Sequence, residues 1–208
     1  MSVAVLCTRR KSVYEKIRGT ECWSVERDAW LFGGAWRVIA HPPCRLWGRL
    51  SQFCVGSEVE FCREIALGLW CARWVGVCGG VLEQPAGSRL FKYAGLPYPG
   101  GAGPGFTICV PQRWWGHRSR KETWLWFSGG RPSDLPVVPF RLEPGVGVGS
   151  GNGLSGSVRR MWKGEREATP ELFAKWLVDA VCALPGALSC SGIGGEEGAA
   201  KQKDNPCK

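Results

Sequence analysis

A chain of 208 residues and 22.8 kDa suffices for one compact domain with a sizeable core and excludes two full domains. Hydrophobic residues at 44% and charged residues at 22% are those of a globular protein, while 30 Gly and 14 Pro predict many turns and long irregular connections. The formal charge of +9 favours a polyanionic partner, nucleic acid first, with simple solubility as the alternative.

No run reaches the roughly 20 uninterrupted apolar residues of a membrane span. The most apolar stretch, 64–82, carries Arg73 in its middle. The first residues place their apolar run before their basic ones, the reverse of a secretory signal, and so predict an intracellular protein. The 11 cysteines are odd in number and include no C-x-x-C pair. Most are therefore expected to be reduced core residues, among them Cys62, Cys71, Cys78, Cys109 and Cys182. The two histidines, His41 and His117, lie at no ligand spacing from a cysteine pair, so no metal is expected.

In chain order, SVAVLCT reads as a buried strand and RRKSVYEKI as a helical or loop return. ECWSVERDA predicts a second strand ending in acidic residues, and WRVIAHPPC a third that stops at Pro42-Pro43. The segment 57–80 predicts a long helix, with Ser57 and Glu60 as its capping box and Gly79-Gly80 at its exit. VLEQP is the next strand. This order predicts an α/β fold with a mainly parallel sheet flanked by helices, whose ligands bind at the carboxyl ends of the strands, where Glu26, Cys44 and Glu83 fall.

Further on, Gly and Pro predict a loop over 95–105, and TICVPQRWWGHRSRKETWLWF predicts strand-like ends around a basic, aromatic centre. A second Gly-rich loop is expected over 143–157, a helix from Thr169 as N-cap with Pro170 in its first turn, and a disordered tail over 189–208. Residues 1–188 are thus expected to form a single domain. GVGVGSGNG follows no strand and reads as a linker, while SGSVRRMWKGERE is either a phosphate contact or a solvated face.

Cys44 follows a rigid Pro-Pro turn at the end of a buried strand, which would hold a thiolate forward into a cleft. Arg45, Arg49 and His41 are the neighbours expected to stabilise it, and a structural cysteine in a cis-proline turn is the alternative. Glu83 ends the next strand, where a carboxyl held near neutral pKa can bond a ring nitrogen, or where a carboxylate can simply cap a helix or face solvent. His117 reads as a stacking or structural residue before a general base.

Together these residues resemble the DNA cytosine carbon-5 methyltransferase family, and in size the short members carried by bacteriophages and prophages. Pro42, Pro43 and Cys44 match that family's PPC turn, which holds the nucleophile. Glu83 in EQP matches the glutamate of its ENV-type strand end, with Gln84 and Pro85 in place of Asn and Val. Pro111 and Gln112 match the start of its PQ-x-R-x-R segment, and Arg118 and Arg120 match the rest loosely after an insertion. Glu26 and Asp28 resemble the acidic pair after the second strand, which would bind the ribose of S-adenosylmethionine.

The resemblance covers roughly residues 1–130 and implies a Rossmann-like, methyltransferase-type fold with a reduced or absent target-recognition domain, since only 128–168 separate the last strand from the last helix. It implies a transferase of a bacterial host cytoplasm that modifies cytosine at carbon 5 in DNA, with Cys44, Glu83 and Gln112 catalytic and S-adenosylmethionine as cofactor. The target base would be flipped out or single-stranded. Arg45, Arg113, Trp114, Trp115, His117, Arg118, Arg120 and Lys121 would hold the nucleic acid by phosphate contact and base stacking. The departure is in the first loop, where the family's F-x-G-x-G is replaced by Thr8, Arg9, Arg10, Lys11 and Ser12. That cationic, hydroxylated run suits a phosphate or carboxylate better than a sulfonium. It leaves a free cytosine nucleotide as an alternative substrate, and a catalytically inactive module that binds DNA or a defence protein as an alternative function.

Overall fold

Short runs of β-branched and apolar residues make the centre of the molecule. In the computed structural model, which describes residues 2–24, 27–34, 36–48, 51–140 and 163–185, β1 (Val3–Leu6) and β3 (Arg37–Ala40) are buried at every position. That is the expected pattern for parallel strands covered on both faces. Together with β2 (Thr20–Trp23), β4 (Gly80–Pro85), β5 (Phe106–Pro111) and β6 (Glu122–Ser128) they form one six-stranded sheet in the order β2-β1-β3-β4-β6-β5. β1 to β4 pair in parallel, and β6 runs antiparallel between β4 and β5. The result is an α/β protein compatible with a Rossmann-like fold.

Helices cover the two faces. The long helix α1 (Glu58–Cys78) starts at the expected Ser57–Glu60 capping box and ends at Gly79. It packs with the short helix α2 (Leu90–Tyr93) over Ala4, Leu6, Val38, Ala40 and Leu82. After a short helix α3 (Lys163–Glu167), helix α4 (Glu171–Ala183) covers Val3, Val5, Ile39, Val81 and Leu125 on the opposite face. The strict alternation along each strand sorts its side chains between these two cores. Gly80 is obligatory here: its φ is +139°, and a Cβ would meet the Val38 carbonyl oxygen at 1.9 Å.

Several expectations shift. The second strand ends at Trp23 rather than in the acidic residues. The last helix begins at Glu171, and the cap position belongs to Pro170, whose ψ of 143° is not helical; Thr169 provides no side-chain cap. No peptide bond among the described residues is cis. Of the cysteines assigned to the core, Cys71 and Cys78 are buried, but Cys62, Cys109 and Cys182 are exposed because they lie on the outward sides of α1, β5 and α4. The loop over 95–105 is irregular as expected and is tied to the sheet by Thr107 Oγ1 donating to the Pro97 carbonyl and Trp126 Nε1 to that of Pro104. The loop over 143–157 and the tail over 189–208 lie outside the described residues, as do most of SGSVRRMWKGERE and the whole of GVGVGSGNG. No helix among the described residues is long and apolar enough to cross a membrane.

Candidate functional site

In this strand order, the chain moves outward from β1 to β2 in one direction and from β3 to β4 in the other. The carboxyl ends of β1 and β3 therefore diverge, which opens a crevice at the switch point of the sheet. A cavity of about 1090 Å³ occupies it, lined among others by Thr8, Ser24, His41, Cys44, Glu83 and Lys121. The carboxyl ends of four strands and the start of β6 thus meet in one hollow.

Two hydrogen bonds shape the Pro-Pro turn of β3. Gln84 Nε2 donates to the Pro42 carbonyl at 2.8 Å, and the Ser88 hydroxyl fixes Gln84 by donating to its Oε1 at 3.0 Å. Beyond the turn, the Cys44 carbonyl accepts from the amides of Trp47 and Gly48, and Arg89 clamps the same segment through the Leu46 carbonyl and the Ser51 hydroxyl. Cys44 is left exposed at the cavity.

Glu83 is the most constrained group in the site. Its Oε2 lies 3.0 Å from His41 Nδ1, and its Oε1 accepts from Gln112 Nε2 at 3.0 Å. His41 Nε2 is in turn 2.9 Å from the hydroxyl of Tyr14, whose pKa burial and the Glu83 charge raise well above its ordinary value. Tyr14 therefore keeps its proton and donates to Nε2, which leaves Nδ1 to donate to Glu83. The Thr123 hydroxyl donates to the Lys121 carbonyl at 3.0 Å and so accepts from Gln112 Nε2 at 3.1 Å. Both hydrogens of the Gln112 amide are thereby assigned, and its Oε1 is buried without a partner. Burial works against the Glu83 carboxylate, but His41, Lys121 and Gln112 outweigh it and hold the group below the ordinary carboxylate range. The expectation of a near-neutral carboxyl is corrected: Glu83 is an acceptor with both oxygens oriented.

The Cys44 thiol has the opposite bias. Desolvation, then the carboxylates of Glu83 and Glu167, push it above the ordinary thiol range, and Lys121 pulls it back. Arg45, expected to stabilise the thiolate and hold nucleic acid, instead forms a two-toothed ion pair with Glu64 on α1, with its Nε 2.8 Å from each carboxylate oxygen. Arg49 lies outside the described residues. The cation that answers Cys44 is Lys121, whose own pKa is lowered by burial and partly restored by Glu83 and Cys44. Its Nζ donates to the Ala168 carbonyl at 3.0 Å, and its backbone takes the left-handed φ of 39°.

The basic, aromatic segment divides. Trp115 is 3% exposed and packs in the core against Phe173 and Trp176, so its ring is closed to a base. His117 is buried as well: Nδ1 accepts from the Ser119 amide at 3.1 Å, and Nε2 donates to the Glu165 carbonyl at 3.1 Å. Its role is to join this segment to α3. Trp114 is half-buried against Phe140, and Arg113 is half-buried beside it. Arg118 pairs with Glu165 at 3.3 Å, and Arg120 pairs with Glu122; both face solvent rather than the cavity.

Of the acidic pair, Glu26 lies outside the described residues. Asp28 lines the cavity but accepts from the Trp30 amide at 3.1 Å as the cap of a 3-10 turn. The first loop has no glycine, yet Cys7 and Lys11 take left-handed φ values of 61° and 56°. The roles of Tyr14 and Gln84 and the inward turn of Lys121 had no sequence signal, since each depends on a partner from a distant segment. Among the described residues, no cluster of His, Cys, Asp and Glu could hold a metal ion. Compared with protein-family models, curated proteins and solved structures, the chain matches none of them.

Proposed function

We propose that the protein modifies cytosine at carbon 5 in DNA through a covalent adduct between Cys44 and carbon 6 of the ring. The observation that carries this reading is the meeting of Cys44 and an oriented Glu83 carboxylate in one cavity, with Gln112 and His41 fixing that carboxylate from either side. A mainly parallel sheet with its cavity at the switch point supports the methyltransferase-type resemblance. The formal charge of +9 supports a nucleic-acid partner, with the base flipped out or single-stranded so that it can enter the hollow.

In this reading the ionised Glu83 first accepts from the exocyclic amine of cytosine. Entry of the ring displaces water and strengthens the desolvation of Glu83, which favours its protonation and donation to ring nitrogen 3. The Cys44 thiol gives up its proton to water and Lys121 stabilises the thiolate. Its sulfur adds to carbon 6, and the π pair of the carbon 5–carbon 6 bond shifts toward the protonated ring nitrogen 3, which makes carbon 5 nucleophilic as part of an enamine. Carbon 5 takes up an electrophile. Water takes the original proton of carbon 5, Cys44 leaves as the thiolate, and ring nitrogen 3 returns its proton to Glu83, which restores the aromatic ring.

S-adenosylmethionine is the donor that the resemblance implies, and the described residues fit it poorly. The loop after β1 brings Arg9, Arg10 and Lys11 to the cavity, where a sulfonium and an ammonium group would meet like charge.

The addition step can be tested without any donor, because a deuteron from solvent serves as the electrophile. In heavy water, the cytosines of a single-stranded oligonucleotide should gain deuterium at carbon 5, and Cys44→Ser should abolish the exchange. Exchange that survives Cys44→Ser would overturn the reading. The raised thiol favours a second one, a binding module without chemistry; saturable DNA binding with no exchange would identify it.

A further inference from the structure

The misfit at the β1 end of the cavity points to a ligand of its own. We propose that the loop Thr8–Ser12 binds the phosphate of a nucleoside 5′-phosphate, at the opening between β1 and β3. This deepens the proposed function by naming the class of ligand that enters beside Cys44 and Glu83, but it uses residues that the chemistry there does not.

Charge comes first. Among the described residues, seven cationic side chains line the cavity against four carboxylates. Each of those carboxylates already has a partner in the protein: Glu64 pairs with Arg45, Glu167 with Arg9, Glu83 with His41, and Asp28 caps a turn. The surplus is therefore positive, and at the β1 end Lys11 makes no ion pair among the described residues. A low-dielectric hollow strengthens such a field, and an anion neutralises it.

The loop's chemistry and placement agree. It sits at the sheet's switch point, the usual position for ligands in open α/β folds. Lys11 within it and Cys7 just before it hold left-handed backbone, a conformation that persists only where surrounding structure imposes it. Hydroxyls of Thr8 and Ser12 accompany the cations. Thr8 is 6% exposed, and its hydroxyl lies beside the Cys22 thiol. Trp30 lines the same cavity with its ring tilted against Trp70, a flat surface suited to a nucleoside. The volume of about 1090 Å³ lies at the upper end of small-molecule sites. It has room for a nucleotide as well as for the reacting base.

A phosphate has two sources here, a free nucleotide or the backbone beside a flipped base, and calorimetric titration of the full chain separates them. The probes are inorganic pyrophosphate, deoxycytidine, deoxycytidine 5′-monophosphate and a single-stranded oligonucleotide. The variants are Arg10→Ser with Lys11→Asn, which keeps a residue tolerant of left-handed backbone, and Cys44→Ser. The monophosphate should bind at least about tenfold more tightly than the nucleoside, and the double variant should erase that difference. Pyrophosphate should compete with it and should bind Cys44→Ser unchanged.

If only the oligonucleotide binds and the double variant weakens it, the phosphate comes from the DNA backbone, and the site stands. Equal affinity for nucleoside and monophosphate, or binding of pyrophosphate and oligonucleotide that ignores the double variant, would overturn the proposal. Absence of binding by every probe would overturn it too. If the double variant loses its fold by circular dichroism, Lys11→Asn alone gives the same comparison. Lost carbon-5 exchange with intact pyrophosphate binding would fail the proposed chemistry only; retained exchange without phosphate preference would fail this site only.

Discussion

His41 Nδ1 and Glu83 Oε2 stand 3.0 Å apart at the ends of neighbouring parallel strands, and that contact sets the charge state of the site. Behind it, the Tyr14 hydroxyl fixes which imidazole nitrogen faces the carboxylate. The two side chains are only 14% and 15% exposed, so the bond is poorly replaced by water. His41→Ala should destabilise the fold by about 2–3 kcal/mol, since it leaves one oxygen of a buried carboxylate and a phenol without a partner. Tyr14→Phe should cost about 1 kcal/mol. Urea denaturation measures both, and equal losses from the two would show that His41 gains nothing from Glu83.

Stability should fall toward acid in two stages. His117 has its pKa lowered, first of all by burial. The unfolded chain therefore takes up a proton below about pH 6.5 that the folded chain refuses, and stability declines from there. Glu83 is held below its ordinary value, so its stabilisation is present above about pH 4.3 and disappears as pH drops through the folded pKa. His117→Gln should flatten the upper stage and Glu83→Gln should reduce the lower one, as read from melting temperature against pH.

Cys44 should alkylate slowly for an exposed thiol. Its pKa is raised by desolvation and by Glu83 and Glu167, and lowered by Lys121, and iodoacetamide reacts with the thiolate. Glu83→Gln and Glu167→Gln should quicken labelling of Cys44 at pH 8, and Lys121→Met should slow it. Mass spectrometry of the labelled peptide gives the rates. Faster labelling in Lys121→Met would place the effective counter-ion elsewhere.

The cations of 113–121 should separate in binding experiments. Arg118 and Arg120 are held in surface ion pairs, whereas Lys121 enters the cavity. Neutralising Arg118 and Arg120 should lower the salt dependence of oligonucleotide binding without changing nucleotide binding. Lys121→Met should weaken both. A loss of nucleotide binding on removal of Arg118 would show that this face closes onto the cavity.

The strand after each apolar run, the long helix with its Ser57–Glu60 box, and the position of Cys44 and Glu83 at strand ends were legible in the sequence, because period, capping and turn chemistry are local. That two strand ends would face one hollow followed from the α/β order alone. Tertiary structure decided what those ends meet. Trp115 and His117 read as nucleic-acid ligands because basic and aromatic residues surround them, yet helices α3 and α4, some 50 residues further along the chain, close over them. Arg45 neighbours Cys44 in sequence but turns to Glu64 on α1, while Lys121 and Tyr14 reach the site from distant segments. Local pattern fixes which backbone forms a strand; the pKa of a thiol or carboxyl depends on charges and burial brought in by remote chain, and no spacing along the sequence encodes those distances.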